Sequence, residues 1–242
     1  MSHSSVIGGA ALVVGPLVWL AGLTTRHLAV TAATFTPAQA ARLAGAEFDG
    51  PKELAAYAQH PDLVTAGYAL FAAGAVVLCL ALVTLARVAA ARSPRLALAG
   101  GALVVVSLFA RLYWAGVDHT AFQLVDRVGV DQATRIVMDI YPQISYGPWR
   151  LPVTAAFGWY LGVPLLGAAA FRAGTFGLIR LVLFLASATL WSGVLKASTW
   201  DGVASSALLC LALVPLGAGL LRGRTAPPLR SSVGLWTAWR HR

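Results

Sequence analysis

Charge is scarce in this chain of 242 residues: Asp, Glu, Lys and Arg together make up 11%, against 58% hydrophobic residues. So few ions cannot cover a water-facing exterior, and no soluble core needs so much apolar surface. Only two cysteines are present, which excludes a disulfide-stapled scaffold and any Cys-x-x-Cys redox or zinc motif. Cys79 and Cys210 fall inside two apolar runs at different depths, which predicts small buried side chains rather than a bridge. No Lys or Arg precedes the first apolar run, so a secretory signal peptide with a basic start is not expected. The chain also lacks His-Glu-x-x-His, a Walker loop, a dinucleotide fingerprint and an Asp-rich diphosphate motif. Neither Ser107 nor Ser145 sits in a nucleophile elbow. Diphosphate-dependent chemistry and powered transport by this chain alone both lose support, and no cofactor is expected.

What the chain has instead is length in its apolar runs. A helix needs roughly 20 apolar residues to span the hydrocarbon of a bilayer, and six runs qualify: Val6 to Leu23, Leu63 to Ala86, Leu96 to Val117, Leu151 to Phe171, Phe176 to Leu195 and Val203 to Leu221. They are unbroken and rich in Ala and Leu, unlike the short alternating strands of an outer-membrane barrel. Gly15-Pro16, Gly162 with Pro164, and Pro215 with Gly217 interrupt them as kinks or close packing points. The expected fold is all-α: residues 1–221 form one bundle of six transmembrane helices and residues 222–242 a basic tail.

Threading the six runs alternately segregates charge. One face receives Arg87, Arg92, Arg95, Arg172, Arg180, Arg222, Arg224, Arg230, Arg240 and Arg242, and no acid. All nine acids go to the other: Glu47, Asp49, Glu53, Asp62, Asp118, Asp126, Asp131, Asp139 and Asp201. The positive-inside rule makes the Arg face cytoplasmic and both termini internal. The net charge of +9 is spread over short loops and the tail, which fits topogenic and lipid-facing roles and not nucleic acid. Arg in place of Lys, with the Ala, Leu and Val bias, suggests a GC-rich bacterial gene and a multi-pass protein of the bacterial cell membrane.

Two outer segments are longer than turns. In the first, Thr36 ahead of Pro37 and Asp49-Gly50 ahead of Pro51 are helix-start signals. The second begins at Asp118; Phe122, Val125 and Val128 share a face and Asp131 stands four residues before Arg135. It is either a lid over a cavity or an amphipathic segment resting on the bilayer. Tyr113, Trp114, Phe122, Tyr141, Tyr146, Trp149, Trp191 and Trp200 gather at this outer face, as an interfacial aromatic belt or as ring walls able to stabilise cations. Arg111 lies inside the third run, and an intramembrane charge marks a functional candidate. If the helix persists, Asp118 lies on the Arg111 stripe with Trp114 beside it, while His119 projects about 100° away. A direct Arg111–Asp118 pair would be strained, leaving Arg111 to snorkel outward or to meet Asp139 or Glu53.

Asp118-His119 and His60-Pro61-Asp62 share the outer side without metal-ligand spacing, so no metal is expected. Proton donation by a desolvated carboxyl group survives these exclusions, since burial keeps such a group neutral until it protonates an alkene or epoxide. The candidate acids are Asp118 and Asp139, with Glu53 in reserve. Arg111, Tyr113, Trp114, Phe122, Tyr146 and Trp149 are the candidate substrate-binding residues. With "RLYWAGVDHT" and "MDIYPQISYGPWR" set in a plan of few helices, aromatic-rich ends and isolated acids, the chain resembles the small integral-membrane terpene cyclases of bacterial indole-terpenoid and related pathways. The resemblance implies metal-independent cyclisation of a prenyl chain begun by protonation; it assigns no catalytic residue. The other class in contention is a non-catalytic membrane protein: a transporter subunit, an immunity factor or an assembly partner for another membrane protein. Reporter fusions within the Asp118 to Arg150 segment should give an external signal, and a cytoplasmic signal there would overturn the threading.

Overall fold

The computed structural model describes residues 3–46, 49–146, 151–189 and 199–223. Ten helices follow one another among them: α1 (His3–Ala32), α2 (Pro37–Ala44), α3 (Gly50–Gln59), α4 (Pro61–Ala89), α5 (Pro94–Val128), α6 (Val130–Tyr146), α7 (Leu151–Ala156), α8 (Gly158–Arg172), α9 (Leu178–Thr189) and α10 (Trp200–Leu221). Proline stands in the first turn of α2, α3, α4 and α5, where its fixed φ suits the helix and its missing N–H costs nothing. Thr36 closes a capping box with Gln39 at the start of α2, as Thr36-Pro37 predicts.

Five helical spans are long and apolar enough to cross a membrane: Ser5–Ala32, Pro61–Ala89, Pro94–Val128, Thr154–Arg172 and Trp200–Leu221. The expected count of six is not reached among the described residues. The fifth predicted run contributes the shorter apolar helix Leu178–Ala188, about 17 Å long at 1.5 Å per residue, and its continuation over residues 190–198 lies outside the described residues, as does the tail from 224.

Two boundaries move outward. The first helix runs to Ala32 rather than Leu23, and α5 runs to Val128 rather than Val117. At 35 residues, α5 is about 53 Å long, against about 30 Å of hydrocarbon. Its last turns, the end of α1 and the start of α4 therefore continue past the bundle on one side, which we call the capped end.

Helices α1 and α4 pack antiparallel through an alternation of small against large. Gly15 faces Leu78, Trp19 faces Gly74, Gly22 faces Phe71 and Arg26 faces Gly67. The steps of four, three and four residues are those of a coiled-coil seam. A Cβ on Gly22 would stand 2.4 Å from the backbone nitrogen of Phe71, and one on Gly74 2.6 Å from that of Trp19. In lipid, where apolar burial gives little net drive, such close packing is what holds helices together. The interruptions at Gly162 and Gly217 are also packing points, against Val104 of α5 and Gly9 of α1. Helices α7 and α8 part at Phe157, and the buried Ser107 hydroxyl donates to the carbonyl of Ala156 at 2.9 Å, which satisfies a backbone group exposed by the break.

One apolar core fills the bundle between α1, α4, α5, α8, α9 and α10. A second lies at the capped end, where Leu54 and Tyr57 of α3 and Ala133, Val137 and Tyr141 of α6 pack on Ala29, Val64, Tyr68, Trp114, Phe122 and Val125. Gly129, at φ +79°, supplies the left-handed residue that turns α5 into α6. Replacing Gly22 with Leu should lower the thermal stability of the detergent-solubilised chain by about 1–3 kcal/mol or more. Gly116→Ala, where a methyl meets nothing within 4 Å, should leave stability unchanged or slightly raised; equal behaviour of the two variants would contradict the seam.

Candidate functional site

Between the two apolar cores lies a layer of polar side chains drawn from five helices. Arg26 comes from α1, Glu53 from α3, Tyr68 from α4, Asp118 from α5 and Tyr141 from α6. Arg26 is 8% exposed, Tyr68 7% and Tyr141 8%, and Asp118 is partly buried.

Arg26 is where the layer begins. Gly67 lets its stem lie against the α4 backbone: a Cβ there would come within 2.8 Å of the Arg26 Cγ. The guanidinium stacks over the Tyr68 ring at 4.0 Å. Its Nη2 donates to Glu53 Oε1 at 2.8 Å and to the Tyr68 hydroxyl at 2.9 Å. With side-chain exposures of 10% and 13%, the Arg26–Glu53 pair is screened little by water, so charge and hydrogen bonding tie α3 down to the bundle.

The Tyr68 hydroxyl is the crossing point. Besides accepting from Arg26, it lies 2.6 Å from Glu53 Oε2 and 2.9 Å from Asp118 Oδ2. A phenol has one proton to donate. Two carboxyl oxygens at hydrogen-bond distance therefore compete for that one proton, and a second proton on one of the carboxyl groups, donated into the phenol oxygen, would satisfy both contacts. Tyr141 closes the other side by donating to Asp118 Oδ1. Burial, and then the neighbouring Asp118 charge, raise the Tyr141 phenol well above its usual range, so it remains a donor at ordinary pH. The layer can thus hold one proton between Glu53 and Asp118 beside a permanent cation.

Aromatic rings wall this layer. Tyr57 stacks on Phe122 at 4.8 Å, Tyr68 meets Phe122 edge-on at 5.0 Å, and Trp114 lies 6.1 Å from Tyr141. Tyr57 also donates to Asp126 at 2.7 Å; that hydrogen bond, followed by burial, raises its phenol.

The structure brings together some of the sequence candidates and separates others. Asp118, Glu53, Trp114 and Phe122 meet at the layer. Asp139 is exposed on α6, outside the layer, and so lacks the apolar surroundings expected of a buried acid. Tyr113 is 44% exposed and turns away, edge-on to Trp114. Arg111 is buried on the Asp118 stripe, but the cation that meets Glu53 is Arg26 and not Arg111. Asp131 pairs with Arg42 at 3.7 Å on the surface rather than with Arg135. The side chain of Tyr146 and the whole of Trp149 and Trp191 lie outside the described residues. His119 is exposed, with Gln123 3.3 Å away, so it forms no dyad with Asp118. No group of three or more His, Cys, Asp or Glu suited to a metal is found among the described residues.

Arg26, Tyr68 and Tyr141 are the members of the layer that sequence reasoning left out as site residues. The signal for Arg26 was its place three residues after the first run, followed by the helix-compatible stretch "HLAVTA". No family model, curated protein or solved structure matches the chain.

Breaking the ion pair from one side should be costly. Arg26→Met should destabilise the chain by about 3–5 kcal/mol by stranding the Glu53 carboxylate, whereas adding Glu53→Leu should cost much less than the sum of the single changes. Additive losses in a denaturation series would contradict the coupling.

Proposed function

We propose that the chain is a six-span protein of the bacterial cell membrane with both termini cytoplasmic. On this reading it is an enzyme whose acid layer protonates a hydrophobic, isoprenoid-type substrate. Charge supports the orientation. Arg87, Arg92, Arg95, Arg172 and Arg222 are exposed on helix ends and turns at the end opposite the cap, and Asp49, Asp62, Asp126, Asp131 and Asp139 lie at the capped end, which the positive-inside rule makes external.

The observation that supports the catalytic reading is the convergence of Glu53 Oε2 and Asp118 Oδ2 on the single Tyr68 hydroxyl; on this reading one of the two carboxyl groups is protonated inside an aromatic wall. Asp118 is the donor and Glu53, held by Arg26, is the ionised partner. In the first step the Asp118 O–H bond breaks, its proton joins one carbon of a substrate alkene, and the other carbon becomes a cation. Arg26 and Tyr141 steady the new Asp118 carboxylate, and the faces of Trp114, Phe122 and Tyr57 steady the cation. Ring closure moves the charge, and loss of a C–H proton to Asp118 ends the reaction and restores the acid. No metal or cofactor takes part, consistent with the resemblance to small membrane terpene cyclases.

A second reading is favoured by the way the layer joins α3 and α6 to the bundle: a non-catalytic membrane protein, such as a transporter subunit, whose acids serve only as fastenings. Reconstitution with prenylated and isoprenoid substrates, followed by mass spectrometry, separates the two. Asp118→Asn should lower product formation by about 10²–10⁴-fold with the fold retained, and Asp139→Asn should leave it unchanged. Full activity in Asp118→Asn would remove the catalytic reading.

A further inference from the structure

Each of the two buried acids divides its oxygens in the same way. Glu53 accepts from Arg26 Nη2 through Oε1 at 2.8 Å and turns Oε2 to the Tyr68 hydroxyl at 2.6 Å. Asp118 accepts from Tyr141 through Oδ1 and turns Oδ2 to the same hydroxyl at 2.9 Å. The Tyr68 oxygen also accepts from Arg26 Nη2 at 2.9 Å. That contact occupies one acceptor position of the phenol and leaves one acceptor position and one O–H for the two acids. Tyr141, by contrast, donates to Asp118 and meets no second carboxyl oxygen among the described residues.

The Tyr68 hydroxyl is held where it is. Its ring is 7% exposed, lies under the Arg26 guanidinium at 4.0 Å and meets Phe122 edge-on at 5.0 Å. The two acids it joins differ in their surroundings. Glu53 belongs to α3, which packs over the layer at the capped end, and 13% of its side chain is exposed. Asp118 has a phenol on each carboxyl oxygen, so a proton entering or leaving it along these hydrogen bonds passes through a phenol.

We infer that Tyr68 is a proton relay joining Glu53, at the water side of the capped end, to Asp118 within the layer. In one transfer the Glu53 Oε2–H bond breaks and its proton joins the Tyr68 oxygen, while the phenol's own O–H bond breaks and its proton joins Asp118 Oδ2. Tyr68 ends as a phenol and Asp118 as a carboxylic acid. Glu53 ends as a carboxylate steadied by Arg26 through a charge-assisted hydrogen bond. The relay rests on the proposed function in taking Asp118 as the acid, and it adds how that acid is charged from water before the first turnover. Tyr68 acts through Asp118 and is a positioning residue.

The test uses the full chain in lipid nanodiscs with isotope-labelled Asp, read by rapid-mixing infrared spectroscopy, with the Asp118 C=O stretch assigned through Asp118→Asn. On transfer into D2O the wild-type band should move to lower frequency as a deuteron replaces the proton. Tyr68→Phe, which keeps the ring between Arg26 and Phe122, should slow that exchange by about 10²-fold. Glu53→Gln, which leaves the phenol in place, should slow it as well, and Tyr141→Phe should not. Exchange at the wild-type rate in both Tyr68→Phe and Glu53→Gln, or equal slowing in Tyr141→Phe, would overturn the relay. A wild-type spectrum without the protonated band would overturn relay and acid together. If Asp118→Asn abolishes product formation while Tyr68→Phe exchanges at the wild-type rate, the relay alone fails; if exchange runs through Tyr68 and Asp118→Asn is fully active, the catalytic reading alone fails.

Discussion

Arg26 faces Gly67 across a helix seam so close that only hydrogen fits on the glycine, and the capped end depends on that contact. The seam sets where the guanidinium can reach. From there it meets Glu53, which fastens α3, and the Tyr68 hydroxyl, which binds Asp118 of α5; Asp118 in turn holds Tyr141 of α6. Each link exists because a buried polar group left alone costs more than the entropy of ordering its partner. A cation planted near the end of an apolar helix thus recruits acids, the acids recruit phenols, and the phenols bring in the helices that carry them.

In the proposed function the same chain of dependence supplies chemistry. An ion pair alone would be a fastening, since charges that match one another have nothing to exchange. Here two carboxyl groups compete for one phenol proton beside one guanidinium, and the proposed function takes a proton held between those carboxyl groups as the transferable one. Tyr57, Phe122 and Trp114 pack their rings around the layer. The interactions that hold α3 and α6 on the bundle are also those that position Asp118.

Much of the fold was legible because bilayer spanning demands long apolar runs, and such runs are visible without a structure. The Pro-headed helix starts at Pro37 and Pro51 were legible for a related reason, since proline's restriction is local. What escaped was set by tertiary contact. Arg26 and the stretch Asp118 to Val128 are polar enough to look like loop, yet α1 and α5 continue through them because other helices supply the missing partners. Asp118 and its stripe with Trp114 followed from helix periodicity. Which cation serves Glu53 did not, because Arg26 and Arg111 differ only in what packs against them. Tyr68 gave no signal of its own: a tyrosine one or two turns into an apolar helix is unremarkable until three polar atoms converge on its hydroxyl.

The central claim is that the layer holds one proton between Glu53 and Asp118. Infrared spectroscopy of the full chain at neutral pH, with isotope-labelled Asp and Glu, tests it most directly. The account predicts a protonated-carboxyl C=O stretch that disappears in Asp118→Asn. A wild-type spectrum in which Asp118 and Glu53 show only ionised carboxylate bands would contradict it.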